Sequence, residues 1–170
     1  PQSRVFKNGG AWLLEPSASD KALAAALWNI QTKEASHKHF DVNAIHIAGY
    51  GAHILRNSGY DGAGLPDPVA WEWIQRTAES SNTVMMNHQN HSSYQGGGID
   101  ESFIGGVLEY ASGNSGSALS LGRHVRNLIA VQPIKGRING YYIVMDQMRT
   151  VFPWDANALV NIAWHPNSSQ

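Results

Sequence analysis

"SDKALAAALWNIQT" (residues 19–32) decides how the first half of the chain is read. Ser19 or Asp20 can cap a helix. Leu23, Leu27 and Ile30 then recur at i, i+4 and i+7 among alanines, the residue with the strongest helix preference. That spacing predicts a helix over 19–32. A second pattern over 41–56 sets Val42, Ile45, Ala48 and Ala52 on one face, weakened by Gly49 and Gly51. "NSGYDGAGLPDP" (57–68) carries the punctuation of a loop, and Asp67-Pro68 reads as the N-cap and first residue of a third helix, 68–80, with Val69, Trp73 and Ile74 inward.

Beyond residue 87 the period changes. "NHQNHSSYQGGGIDES" (87–102) is a long polar connection, and after it come four apolar runs of strand length: 103–111, 125–132, 140–148 and 159–165. The expected fold is therefore α+β: one domain over 1–170, with a helical N-terminal half and a mostly antiparallel C-terminal half.

Composition narrows the function classes. A chain of 170 residues, 42% hydrophobic with six Trp and six Tyr, can bury a full core without staples. Charged residues make up 15% and the net charge is −1, which lacks the basic footprint of a nucleic-acid binder. Cysteine is absent, which excludes disulfides, thiolate nucleophiles and thiolate metal sites. No apolar run reaches the length of a transmembrane helix. The start "PQSRVFKNGG" has no initiator Met and no signal pattern. With the neutral polar composition, this reads as a secreted protein or a viral or effector chain processed from a larger precursor.

The stretch "SGNSGSAL" (112–119), followed by the apolar run 128–131 and by Gly140-Tyr141-Tyr142-Ile143-Val144, resembles the nucleophile segment of chymotrypsin-like serine peptidases over 111–146. The resemblance implies a double β-barrel and a hydrolase of serine-peptidase type. In it Ser115 is the nucleophile and the backbone around Gly113 and Asn114 forms the oxyanion hole. Glycines beside a nucleophile let neighbouring N–H groups converge on one oxygen. "EASHKHF" resembles the segment around the family's base, which selects His37 with His39 in reserve. The orienting acid would be Asp61, Asp67 or Asp100, of which Asp67 is chosen.

A second resemblance links Glu34 and "FDVNAIHIAGYG" (40–51) to lysozyme-like lytic transglycosylases, where a glutamate ending a helix acts as general acid on a glycan. The expected substrate is thus a peptide or a glycan. A capsid, lectin-like or other interaction protein with a partner protein stays open, and so does an RNA-cleaving toxin. Neither a cofactor nor a metal is implied. His39, His46 and His53 recur every seven residues, two helical turns or about 10.5 Å apart, too far to share one ion. His88 and His91 are closer, and Asp100 or Glu101 could complete a site with them.

Overall fold

The structure, a computed structural model, describes residues 1–31, 39–57, 73–74, 77–151 and 159–166. Eleven β-strands carry the described chain. Strands β1 (Arg4–Phe6), β2 (Gly10–Leu14), β3 (Ala24–Trp28), β4 (Ala44–Gly49) and β5 (Ala52–Leu55) form a five-stranded antiparallel sheet in sequence order. Strands β7 (Gly98–Phe103), β8 (Leu108–Asn114), β9 (Gly122–Val131) and β10 (Tyr141–Thr150) form a four-stranded antiparallel sheet, again with neighbours consecutive. A two-stranded sheet pairs β6 (Val84–Met86) with β11 (Val160–Ile162).

The helical reading of 19–32 and 41–56 is overturned: both stretches supply strands of the first sheet. The reason lies in the spacing itself. Leu23 and Leu27 are an i, i+4 pair, which shares one face of a helix and equally one face of a strand. In β3 the inward positions are Ala25 and Leu27, and Ala24, Ala26 and Trp28 face the other way. Alanine's helix preference amounts to about 0.7 kcal/mol or less per residue over ordinary residues. Five cross-strand pairs to β2 and five to β4 outweigh it. Gly49 and Gly51, weak points of a supposed helix, close a strand and turn the chain at a two-residue hairpin. Gly49 pairs Ala52, and Tyr50 (φ 55°) and Gly51 (φ 82°) occupy the left-handed region that tight hairpins demand.

The third expected helix, 68–80, falls mainly outside the described residues; within it 73–74 are helical and Ala78–Ser80 is a 3-10 turn. In the second half the strand reading holds for β9, β10 and β11. The run 103–111 is divided instead, because Gly105 and Gly106 turn the chain between β7 and β8.

The two large sheets pack face to face. Ala11, Leu13, Ala25, Leu27 and Ile45 from the first sheet meet Ile99, Ala111, Leu128 and Ala130 from the second. Burying each larger aliphatic side chain is worth about 1.5–3 kcal/mol, so this half of the interior holds the sheets together. Tyr142 on β10 adds a tie across it, its hydroxyl donating to the Leu13 carbonyl at 2.7 Å. Along β9 the inward residues change from Leu128 and Ala130 to Arg126 and His124, and there the interior turns polar.

Candidate functional site

The outer face of the first sheet is hollowed. Cross-strand registers align Trp12, Ala26 and His46 in one row, and Leu14, Ala24, Ala48 and His53 in the next. Alanines therefore form a low floor, with Trp12, Trp28, His46, His53 and Arg56 standing around it. The result is an open trough of about 440 Å³. The Trp12 and Trp28 rings meet edge to face, with centroids 6.2 Å apart and planes at 72°. Trp28 also lies against the His46 ring at 5.9 Å, and its indole N–H donates to His46 Nδ1 at 3.3 Å. Among the described residues His46 Nε2 is buried without a hydrogen-bond partner. Burial, then the neighbouring His53 and His39, hold the His46 pKa below its ordinary value. Indole faces, a neutral imidazole and an exposed guanidinium suit a ligand with flat apolar faces and many oxygens.

Two of these residues appear in the sequence as a seven-residue repeat. His46 and His53 do come together, through the β4–β5 hairpin rather than along a helix. Trp12, Trp28 and Arg56 carried no signal until the registers of β2 to β5 were known.

The polar end of the sandwich is closed. Arg126, fully buried, donates from Nε and one terminal nitrogen to both oxygens of Asp146 at 2.7 and 3.0 Å. Its other terminal nitrogen donates to the carbonyls of Asn43 and Asn82 at 2.7 and 2.6 Å, and Trp164 stacks over it at 5.2 Å. His124 Nε2 donates to Asp146 Oδ1 at 2.7 Å, and Asn43 Nδ2 donates to His124 Nδ1 at 3.3 Å. Asn29 continues the chain, donating to Asn43 Oδ1 and to the Asn114 carbonyl. Burial alone would raise the Asp146 pKa, but the bonds from His124 and Arg126 hold it well below the carboxylate range. Burial lowers the His124 pKa against the opposing pull of Asp146. His124 and Asp146 form an acid–base pair, yet His124 is sealed from solvent and serves the packing.

The serine turn lies in this network. Ser115 is 2% exposed, and its Oγ accepts the His124 backbone N–H at 3.0 Å. Among the described residues no histidine ring nitrogen pairs with it. Gly113 sits within β8, and a Cβ there would lie 2.5 Å from Asn43 Oδ1, so this glycine makes room for the asparagines. Asn114 accepts the Gly116 N–H at 2.8 Å and donates to Asp100 at 2.6 Å. Gly116 (φ 55°) then lets the backbone approach Gly97. His37, Asp67, Asp61 and Glu34 lie outside the described residues. His39 Nδ1 pairs with the Ile74 carbonyl. His88 and His91 turn apart, His88 Nε2 to the Asn161 amide and His91 Nε2 to the Val84 carbonyl. Among the described residues no group of three or more His, Asp or Glu is placed to hold a metal ion, and no helix is long and apolar enough to cross a membrane.

Ser115→Ala is expected to lower stability by about 1–3 kcal/mol, because it strips the buried His124 N–H of its acceptor. Urea unfolding of the two proteins measures this; equal midpoints would show that Ser115 Oγ does not hold β9.

No protein-family model matches the sequence, and no curated protein matches it. Solved structures do match in fold. A heparinase III superposes over 88% of this chain with a TM-score of 0.72 at 18% identity. Another heparinase III does so at 0.69 and 16%, again over 88%. The heparan sulfate lyase HepC from Pedobacter heparinus superposes over 88% at 0.70 and 15%. The chain spans less than a quarter of those proteins, 22% of the first and third and 23% of the second. At such identity the likeness establishes the fold. It overturns the serine-peptidase expectation, since the architecture is shared with glycan-cleaving lyases and not with chymotrypsin-like double barrels. The lysozyme-like alternative loses its helical frame, because 44–49 is a strand.

Proposed function

We propose that this chain is a glycan-binding β-sandwich of the kind found in polysaccharide-cleaving lyases, and that the trough on its first sheet meets the sugar. The observation that carries this reading is the placement of Trp12, Trp28, His46, His53 and Arg56 around a floor of alanines. The apolar C–H faces of a sugar ring fit against indole rings, and its hydroxyls take hydrogen bonds from the polar rim. Arg56 adds a planar fork for a carboxylate or sulfate, the groups that decorate heparan sulfate. With a net charge of −1, attraction to an anionic glycan would be local to this rim rather than a property of the whole surface.

Cleavage is the activity we propose for the longer architecture of the fold neighbours; binding is what the trough itself supports. Calorimetric titration with a heparan sulfate oligosaccharide tests it. Trp12→Ala is expected to weaken binding about tenfold, because it removes one wall of the trough and little of the core. Trp12 is 45% exposed, so the fold should survive the change. Unchanged affinity in Trp12→Ala, or no binding by the parent protein, would remove the trough from consideration.

A further inference from the structure

We propose that Trp28 is a positioning residue that locks His46 in the tautomer protonated on Nε2, so that this N–H is held as a donor for an oxygen of the trough's ligand. The geometry leaves one assignment. An indole nitrogen can only donate, so the 3.3 Å contact from Trp28 Nε1 makes His46 Nδ1 the acceptor. A neutral imidazole that accepts at Nδ1 carries its proton on Nε2. The ring is kept neutral by burial and by the two histidines nearby. The Trp28 ring, tilted at 56° against His46 with centroids 5.9 Å apart, holds the imidazole in that orientation.

Nε2 then stands out. Among the described residues it is one of three buried side-chain polar atoms without a partner, and the one whose residue lines the trough. Buried donors in folded proteins nearly always find an acceptor, and an unmade bond calls for a reason. A ligand oxygen supplies it. Nε2 is covered in this structure, while Trp12 and His53 on the trough wall are exposed, and the ligand's approach has to uncover it. The acceptor is a hydroxyl or carboxylate oxygen. That identification rests on the glycan reading above, whereas the tautomer does not.

Nitrogen NMR of the His46 ring separates the two. In the ligand-free protein the ring is expected to show the Nε2-protonated form alone. Trp28→Phe, which keeps an aromatic ring but has no N–H, should mix the two tautomers while leaving the amide fingerprint folded. A heparan sulfate tetrasaccharide should shift His46 Nε2 in the parent protein and bind about tenfold more weakly to Trp28→Phe. An Nδ1-protonated parent ring overturns the inference, and that measurement stands even if the variant does not fold. So does a tautomer unmoved by Trp28→Phe. If the tetrasaccharide binds without shifting Nε2, the donor role falls and the glycan reading stands. If the tautomer is as expected but nothing binds, the glycan reading falls and takes the ligand role of Nε2 with it.

Discussion

Arg126→Ala is expected to lower the free energy of unfolding by about 3–5 kcal/mol, a large share of the about 5–15 kcal/mol that keeps a domain folded. The guanidinium is completely buried and has four oxygen partners: both carboxylate oxygens of Asp146 and the main-chain carbonyls of Asn43 and Asn82. These belong to β10, to the approach to β4, and to the segment before β6, so one side chain joins both large sheets to the small one. Truncation leaves a carboxylate that is only 15% exposed with His124 as its remaining partner, takes a donor from the Asn43 carbonyl, and leaves the Asn82 carbonyl with the Ile45 N–H at 3.3 Å. It also removes the cation beneath Trp164. Arg126→Lys should recover little, because an ammonium cannot span a carboxylate and two carbonyls in one plane. Urea unfolding with both variants checks this. A loss below 1 kcal/mol for Arg126→Ala would mean that the polar end is not a structural clamp.

Acid should unfold the protein in a specific window. His91 is buried, its Nε2 donates to the Val84 carbonyl at 2.8 Å, and its Nδ1 has no partner among the described residues. Burial, opposed by that bond and reinforced by His124, brings its pKa down from 6.5 to about 4. The folded state thus prefers the neutral ring more strongly than the unfolded chain does. Its contribution is whole above pH 6.5 and declines as pH falls from 6.5 towards 4, where the loss amounts to about 3 kcal/mol. The lowered pKa values of His46 and His124 act in the same direction. Asp146 enters later, since a carboxylate held below its ordinary 3.8 loses its stabilising charge only as pH falls through that value. Asp41 opposes the histidines, because burial raises its pKa from 3.8 to about 6 and its protonation stabilises the folded state below that pH. The His91 contribution is therefore read from the difference between parent and His91→Gln urea midpoints from pH 8 to pH 4. His91→Gln, which retains a donor for Val84 but cannot titrate, should show a shallower fall. Equal slopes in the two proteins would exclude His91 as a cause.

Much was legible in the residues alone. The runs around 125–132 and 140–148 alternate or bound themselves with Gly and Pro, and they became β9 and β10. The polar end was legible in principle too: His124, Arg126, Leu128 and Ala130 are alternate positions of one strand, so a polar pair on an inward face stands in the pattern. The lack of cysteine likewise left cohesion to packing and hydrogen bonds.

The first half and the site were not decided locally. Leu23 with Leu27, among alanines, satisfies a helix and a strand alike; the choice fell to β2 and β4, whose ladders exist only once the sheet forms. Reading 41–56 as a helix separated His46 from His53 by two turns, whereas the Tyr50-Gly51 turn folds them onto one wall. The same pairing turned alanines that seemed to mark a helix into the floor of a trough. The Gly-Asn-Ser-Gly motif looked like chemistry because small residues admit close backbone approach in any setting. Here the approach is made by Asn29 and Asn43, which lie 84 and 70 residues before Gly113 in the chain and meet it only across the packed sheets. Local sequence sets which backbone shapes are cheap; contacts between distant strands, each worth more than those preferences, choose among them.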